Sequence, residues 1–400
     1  MAKQRIVSVL GTRPEIIKCS PLLPEFDRRY NHVLIHTGQH YDDRMDEWFF
    51  RDLGLRAPDF NLNVGSGSHG VQLARMLTGI EPILQEFEPD IVFVQGDTNS
   101  TLAGAMAAAK LGMRVVHLEA GCRSFNRAMP EEINRVIVDH VAALCLAPDD
   151  AACAHLAAEG IAPELVRMVG STGVDACLRV AGRADQVADS PDADLPEGGF
   201  LVATIHRAEN TNPETLAGLI AALADLARDW PVIFPVHPRT VRALDAIGRR
   251  PGIRYLDPVG YPQMIRMVRR SRALLTDSGG LQEESAVLGT PTFILRNETE
   301  WSAFVEAGQH RLVGTDPRRI TSTVRAVLTG GPDETRMRTA TGMERAGATQ
   351  RVLAALNEVF GTGGEDMTWN RPGSASRAGS PGDASAVSVP VHAHEKAAHQ

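Results

Sequence analysis

The stretch Thr276-Asp277-Ser278-Gly279-Gly280-Leu281-Gln282-Glu283-Glu284 decides the fold of this chain. Ahead of it stands the apolar run Ala273-Leu274-Leu275, which reads as a buried strand; behind it stands Ser285-Ala286-Val287-Leu288, which reads as a helix. A strand that passes through Ser-Gly-Gly into a helix presents free backbone N–H groups at the positive end of the helix dipole. That arrangement suits a phosphate. A carboxylate one to two turns into the helix can accept from neighbouring hydroxyls, such as those of a ribose. The segment therefore hints at a nucleoside diphosphate site, while a tight strand–helix turn with ordinary caps fits the same residues.

Working outward, short apolar runs alternate with longer helical patterns along the whole chain. Ile6-Val7-Ser8-Val9-Leu10, Val33-Leu34-Ile35-His36, Ile91-Val92-Phe93-Val94 and Val115-Val116-His117-Leu118 read as strands, with helices over about 71–86 and 100–110 between them. Leu201-Val202-Ala203-Thr204, Val232-Ile233-Phe234 and Thr292-Phe293-Ile294-Leu295 repeat the pattern in the second half. Continuously apolar strands separated by helices imply parallel sheets covered on both faces. The reading is α/β: two doubly wound, Rossmann-like domains with ligand in a cleft facing the carboxyl ends of the strands. The Asp-, Pro-, Ser- and Gly-rich segment over about 185–199 reads as an exposed connection near the domain boundary. From about 361 the composition loses periodicity, and 361–400 reads as a disordered tail.

A hydrophobic share of 43% supplies a real core, and a net charge of −8 argues against a general affinity for nucleic acid or an anionic membrane. An anionic ligand must then be held by a local basic cluster. Five cysteines without a CxxC pair indicate neither a disulfide framework nor a zinc site, so no metal is expected. The N-terminal residues lack the apolar region of a signal peptide and no run reaches membrane-span length, so a cytoplasmic location is expected.

Functional groups gather where strands end. Gly11-Thr12-Arg13-Pro14-Glu15 follows the first strand, with Lys18 a turn further on; Arg13 and Lys18 either face the cleft or are solvated. The GxGxxG pattern of a dinucleotide site is absent from this turn, and no cofactor is expected. Asp97 reads either as the cap of the next helix or as a cleft carboxylate. Glu119 directly follows a strand holding His117, and Glu131 and Glu132 open a helix whose dipole favours acids anyway. Carboxylates that converge raise one another's pKa, and one can become a competent base near neutral pH. In the second half His206-Arg207 and His237-Pro238-Arg239 each follow a strand, and two such pairs beside the Ser-Gly-Gly turn favour an anion site.

Taken in order, Gly11-Thr12-Arg13-Pro14-Glu15, Gly96-Asp97-Thr98, Glu119-Ala120-Gly121, Pro130-Glu131-Glu132 with Asn134-Arg135, His206-Arg207 and Asp277-Ser278-Gly279-Gly280 with Gln282-Glu283-Glu284 resemble the bacterial and archaeal, non-hydrolysing UDP-N-acetylglucosamine 2-epimerases over residues 5–360. The resemblance implies the glycosyltransferase B-type fold, with an N-terminal domain over 1–172, a UDP-binding domain over 173–344 and a helix over 345–360 crossing back to the first. It implies reversible conversion of UDP-N-acetylglucosamine to UDP-N-acetylmannosamine through a 2-acetamidoglucal intermediate, supplying cell-surface polysaccharide precursors. Residue by residue, Asp97, Glu119 and Glu131 match the family's catalytic carboxylates, and Lys18 and His206 match positions linked to catalysis. Arg13, Ser278, Gly279 and Gly280 match diphosphate contacts and Glu284 the ribose contact, with Arg135 and His237 added to the substrate-binding set. The expected partners are a UDP-sugar and a second copy of the chain in a homodimer.

There are departures from the family pattern. Gln39-His40-Tyr41-Asp42 stands where many bacterial members bind an activating second substrate, Ala208 where many have Arg, and Thr299-Glu300-Trp301 replaces a Thr-Glu-Arg-Pro run. These variants also occur in relatives that act on UDP-2,3-diacetamido-2,3-dideoxyglucuronate, whose carboxylate Arg123 or Arg127 could meet, although both read more simply as exposed loop arginines. A hydrolysing 2-epimerase is a further reading. From other classes, a glycosyltransferase of the same fold would need an acceptor-binding face and need not cluster acids at carbon 2, and a non-catalytic nucleotide-sugar binder is a third reading; the clustered Asp97, Glu119 and Glu131 favour an epimerase over both.

Overall fold

The computed structural model describes residues 3–39, 50–183, 195–196, 199–299 and 301–361. Among them, a first parallel sheet is built from β1 (Arg5–Leu10), β2 (Asn31–His36), β3 (Phe60–Asn61), β4 (Ile91–Gln95), β5 (Arg114–Leu118), β6 (Leu144–Ala147) and β7 (Val166–Met168). Its order is β3-β2-β1-β4-β5-β6-β7. A second parallel sheet holds β8 (Leu201–Thr204), β9 (Val232–Pro235), β10 (Ile253–Leu256), β11 (Ala273–Thr276), β12 (Thr292–Ile294) and β13 (His310–Leu312), in the order β10-β9-β8-β11-β12-β13. The central strands are buried along nearly their whole length because helices cover both faces, which is why their sequences run apolar without alternation.

In each sheet the order reverses beside the first strand, between β1 and β4 and between β8 and β11. The loops leaving those two strands turn to opposite faces and open a crevice between them. Gly11–Arg13 and Asp97 leave the first switch point; His206 and Ser278 leave the second.

Two helices tie the halves together. Thr172–Arg183 packs against Arg13–Cys19 of the first half and against Tyr261–Arg270 and Gly279–Leu288 of the second. The expected domain boundary at 172 falls at its first residue. Ala348–Phe360 returns to the first half, where Val352, Leu353, Leu356 and Phe360 share a buried cluster with Ile6, Leu10, Ile16 and Phe93. At roughly 1.5–3 kcal/mol for each such side chain, that burial holds the C-terminal helix on the N-terminal sheet. The Gln4 amide also donates to the Phe360 carbonyl.

Two sequence expectations change here. Asp97 does not cap the following helix: Thr98 does, its Oγ1 accepting from the Ser100 and Thr101 N–H groups, which leaves the Asp97 carboxylate for other work. Arg123 is not an exposed loop arginine; its side chain is 1% exposed and pairs with Asp139 at 2.7 Å and Glu159 at 2.7 Å. Arg127 is exposed as read. Most of the 185–199 connection, the tail after 361, His40-Tyr41-Asp42 and Glu300 lie outside the described residues.

Candidate active site

The wall contributed by the first half starts at Gly11. A side chain there would meet Ser100 Oγ at 1.9 Å and Thr37 Oγ1 at 2.2 Å, so the turn after β1 lies flat against the next crossover only because it is glycine. Buried Glu15 then accepts from the Gly11 N–H at 2.8 Å, the Thr12 N–H at 2.7 Å, Thr98 Oγ1 at 2.6 Å and Thr101 Oγ1 at 2.9 Å. It staples the loops after β1 and β4 together, and burial raises its pKa against the pull of those hydrogen bonds.

On that platform Lys18 projects to Glu119, donating to both carboxylate oxygens at 2.5 and 2.7 Å, and the Gln95 amide donates to Glu119 as well. Glu119 itself has φ +72, a left-handed conformation that a side-chain-bearing residue adopts at a cost. The strain turns its carboxylate from the end of β5 toward Lys18. Burial works against the Lys18 charge, but Glu119, then Glu283 and Asp97, outweigh it and hold the ammonium above the ordinary lysine range. Asp97 accepts from Arg135 Nε at 2.9 Å and Nη2 at 2.6 Å, both on Oδ2. Among the described residues its Oδ1 accepts no hydrogen bond. Burial, seconded by the Glu119 charge, raises the Asp97 pKa although Arg135 opposes it.

Behind these groups lies a buried support. His117 Nδ1 is 2.6 Å from Asp139 and Nε2 is 2.8 Å from the Gly96 carbonyl. Both ring nitrogens face acceptors, so both carry protons; Asp139 raises the His117 pKa in spite of burial. Asp139 also accepts from the Gly121 N–H at 3.0 Å and from Arg123, fixing the turn that carries Glu119. Glu131 is the exception among the expected carboxylates: it is exposed on the first turn of the Pro130–Val141 helix, outside the Lys18, Glu119, Asp97 and Arg135 group. Its neighbour Glu132 is the buried one, accepting from the Ser124 and Phe125 N–H groups and pairing with Arg135 at 3.0 Å.

The opposite wall is organised by Asp277, which is fully buried at the end of β11. It accepts from the His206 N–H at 3.0 Å, the Arg207 N–H at 3.0 Å and the Asn210 amide at 3.0 Å, and it pairs with His206 Nδ1 at 3.0 Å. Burial would raise its pKa; His206 and the backbone donors outweigh that and hold it below the usual carboxylate range. Asp277 thereby fixes the imidazole by its Nδ1, and among the described residues no hydrogen bond is made by Nε2. The His237 ring lies 5.2 Å from that of His206. Burial, with the His206, Arg239 and Arg13 charges behind it, pulls His237 down to about 4.

Ser278 caps the Gly279–Leu288 helix. A Cβ at Gly280 would have nothing within 4 Å, so the backbone at that helix start is open to a ligand. Half-buried Glu284 is pushed up to about 7 by burial, with Glu283 adding to the effect and the Tyr261 hydroxyl opposing it.

Between the walls is a cavity of about 780 Å³ whose lining includes Lys18, Glu119, Arg135, Arg207, Glu283 and Arg345. Asp277, Asp139, Glu283 and Arg345 were not singled out from sequence. Asp277 stood in the opening motif as an acid ending a strand, and that position was its signal. Among the described residues no group of three His, Cys, Asp or Glu side chains could hold a metal ion.

A family model described as UDP-N-acetylglucosamine 2-epimerase matches residues 25–357. A UDP-N-acetylglucosamine 2-epimerase of Methanococcus maripaludis is 42% identical over 336 residues, 81% of this chain and 92% of the relative. A UDP-2,3-diacetamido-2,3-dideoxy-D-glucuronate 2-epimerase of Pseudomonas aeruginosa is 40% identical over 330 residues, 81% of this chain and 92% of the relative. The solved UDP-GlcNAc 2-epimerase of Methanocaldococcus jannaschii, in complex with UDP-GlcNAc and UDP, superposes with a TM-score of 0.78 at 37% identity, covering 88% of this chain and 99% of that one.

Proposed function

The chain belongs to the UDP-N-acetylglucosamine 2-epimerase family, and from that premise we propose that it interconverts UDP-N-acetylglucosamine and UDP-N-acetylmannosamine by elimination and re-addition of UDP. The observation that carries the reading is the division of labour across one cavity. Lys18, Glu119 and Arg135 of the first half line it, with Asp97 held on Arg135. Arg207 and Glu283 of the second half line it opposite; beside Arg207 stands His206 on Asp277, and the helix that carries Glu283 starts at Gly279–Gly280.

In the forward direction a carboxylate takes the proton on carbon 2. The electron pair of that C–H bond becomes the C1=C2 double bond, and the C1–O bond breaks with its electrons leaving on the diphosphate. Asp97 suits the proton step, since Oδ2 is anchored by Arg135 while Oδ1 is open and the raised pKa makes it a better base. Lys18 and Glu119 form a fixed dipolar pair beside it. Arg13, His206 and the N–H groups from Ser278 to Gly280 face the charge that grows on the departing diphosphate. Proton return to the opposite face of carbon 2 and re-addition of the diphosphate oxygen to carbon 1 complete the exchange, with no electrons entering or leaving.

Incubation with UDP-N-acetylglucosamine alone, followed by proton NMR, tests the reading. New anomeric signals of UDP-N-acetylmannosamine are expected without any acceptor. An unchanged spectrum would exclude epimerisation of this substrate, and free N-acetylmannosamine with UDP would indicate a hydrolysing enzyme. The diacetamido-glucuronate relative gives a second substrate to run in parallel. Against that substrate stands Arg123, whose guanidinium is already occupied by Asp139 and Glu159. A homodimer is proposed on the exposed apolar side chain of Phe60 on edge strand β3, 41% exposed. Light scattering in solution measures it.

A further inference from the structure

Arg345 belongs to a short turn after the second sheet, yet it reaches three places at once. Its Nη1 is 2.8 Å from Glu283, its Nη2 is 2.7 Å from Asp149 of the first half, and its guanidinium lies 5.4 Å from the centre of the Trp301 ring. Its side chain is 13% exposed and lines the cavity. Glu283, the partner, sits on the same helix as Ser278 and Glu284 and is almost fully buried. A Cβ placed on Gly173 would meet Glu283 Oε2 at 3.2 Å and Lys18 Cγ at 3.6 Å. Glycine at that position therefore lets the carboxylate of the second half and the lysine of the first approach each other. After Glu119, Glu283 is the next carboxylate to act on the Lys18 charge.

Two carboxylates, part-exposed Glu119 and buried Glu283, thus act on one ammonium. We propose that Arg345 is a positioning residue for the epimerase reaction: by neutralising Glu283 it reserves Lys18 for Glu119. The inference rests on the reading of Lys18 and Glu119 as catalytic groups. Without the guanidinium, the uncompensated Glu283 carboxylate draws Lys18 across the gap, and Glu119 loses its two short hydrogen bonds. Because Glu283 lies on the helix at whose start the diphosphate is placed, the same contact ties the nucleotide wall to the proton-transfer wall.

The test is a double-mutant cycle on kcat and KM for UDP-N-acetylglucosamine, with UDP affinity measured by calorimetry. Arg345→Gln is expected to lower kcat by about tenfold to a hundredfold with UDP affinity within about threefold of wild type. Adding Glu283→Gln removes the stranded charge and is expected to recover at least about half of the lost kcat on a logarithmic scale. A role limited to holding Asp149 or packing on Trp301 would leave the double variant as slow as the single one or slower, and that result overturns the proposal. Should Arg345→Gln fail to fold, Arg345→Lys with and without Glu283→Gln runs the same cycle. A wild-type protein inactive on this substrate would instead refute the functional reading, so the two failures are distinguishable.

Discussion

At the scale of the residue, the carboxylates fall into a proposed working pair, Asp97 and Glu119, and supporting groups such as Glu15 and Asp139. Asp97 has an anchored oxygen and an open one, while Glu119 is clamped by Lys18 and Gln95 in a strained backbone conformation. Asp97→Asn and Glu119→Gln are each expected to lower kcat by at least about a hundredfold, the scale of losing a positioned acid or base, with UDP affinity largely kept. Steady-state kinetics beside calorimetry checks both, and near-normal turnover in both would remove them from the reaction. Glu284 carries a pH signature. Its value of about 7 stands above that of an unfolded chain, so its contribution to stability is full below the ordinary carboxylate range and is lost as pH rises through 7. Ligand binding runs the other way, because ribose hydroxyls donate better to the ionised form. UDP affinity is expected to rise between about pH 6 and 8, and Glu284→Gln should remove that part of the rise not due to the ligand's own titration. A profile identical in the two proteins would take Glu284 away from the ribose.

At the scale of the element, the proposed nucleotide site depends on the start of the Gly279–Leu288 helix. Gly280→Ala adds a methyl group into open space and a residue of higher helix propensity, so thermal stability should stay or rise by up to about 1 kcal/mol. If the diphosphate packs on this backbone, UDP affinity should nevertheless fall by about tenfold or more; unchanged affinity would place the diphosphate elsewhere. The central strands and this turn were legible in the sequence because burial on both faces leaves an apolar run and the turn leaves its glycines. The edges were not: β3 is two exposed residues and β7 three partly exposed ones, too short to leave a pattern. The true helix cap at Thr98 was hidden behind Asp97, an equally good capping residue by type. The pairings Arg123–Asp139, His206–Asp277 and Arg345–Glu283 join residues far apart in the chain, and no local pattern announces them.

At the scale of the whole molecule, the two sheets face each other across one cavity, tied by the Thr172–Arg183 and Ala348–Phe360 helices. A calicheamicin glycosyltransferase, CalG4, shares this fold with a TM-score of 0.58 at 15% identity, so the architecture alone does not select the chemistry. What selects it in the proposed reading is the acid pair Asp97 and Glu119, whose task is to break and remake the bond between carbon 2 and its hydrogen. The most direct measurement is the reaction in heavy water with UDP-N-acetylglucosamine as the only substrate. Deuterium at carbon 2 of both UDP-N-acetylglucosamine and UDP-N-acetylmannosamine, seen as loss of the H2 signal and collapse of its coupling to the anomeric proton, is the expected result. Epimerised product that retains its original hydrogen at carbon 2 would contradict the account.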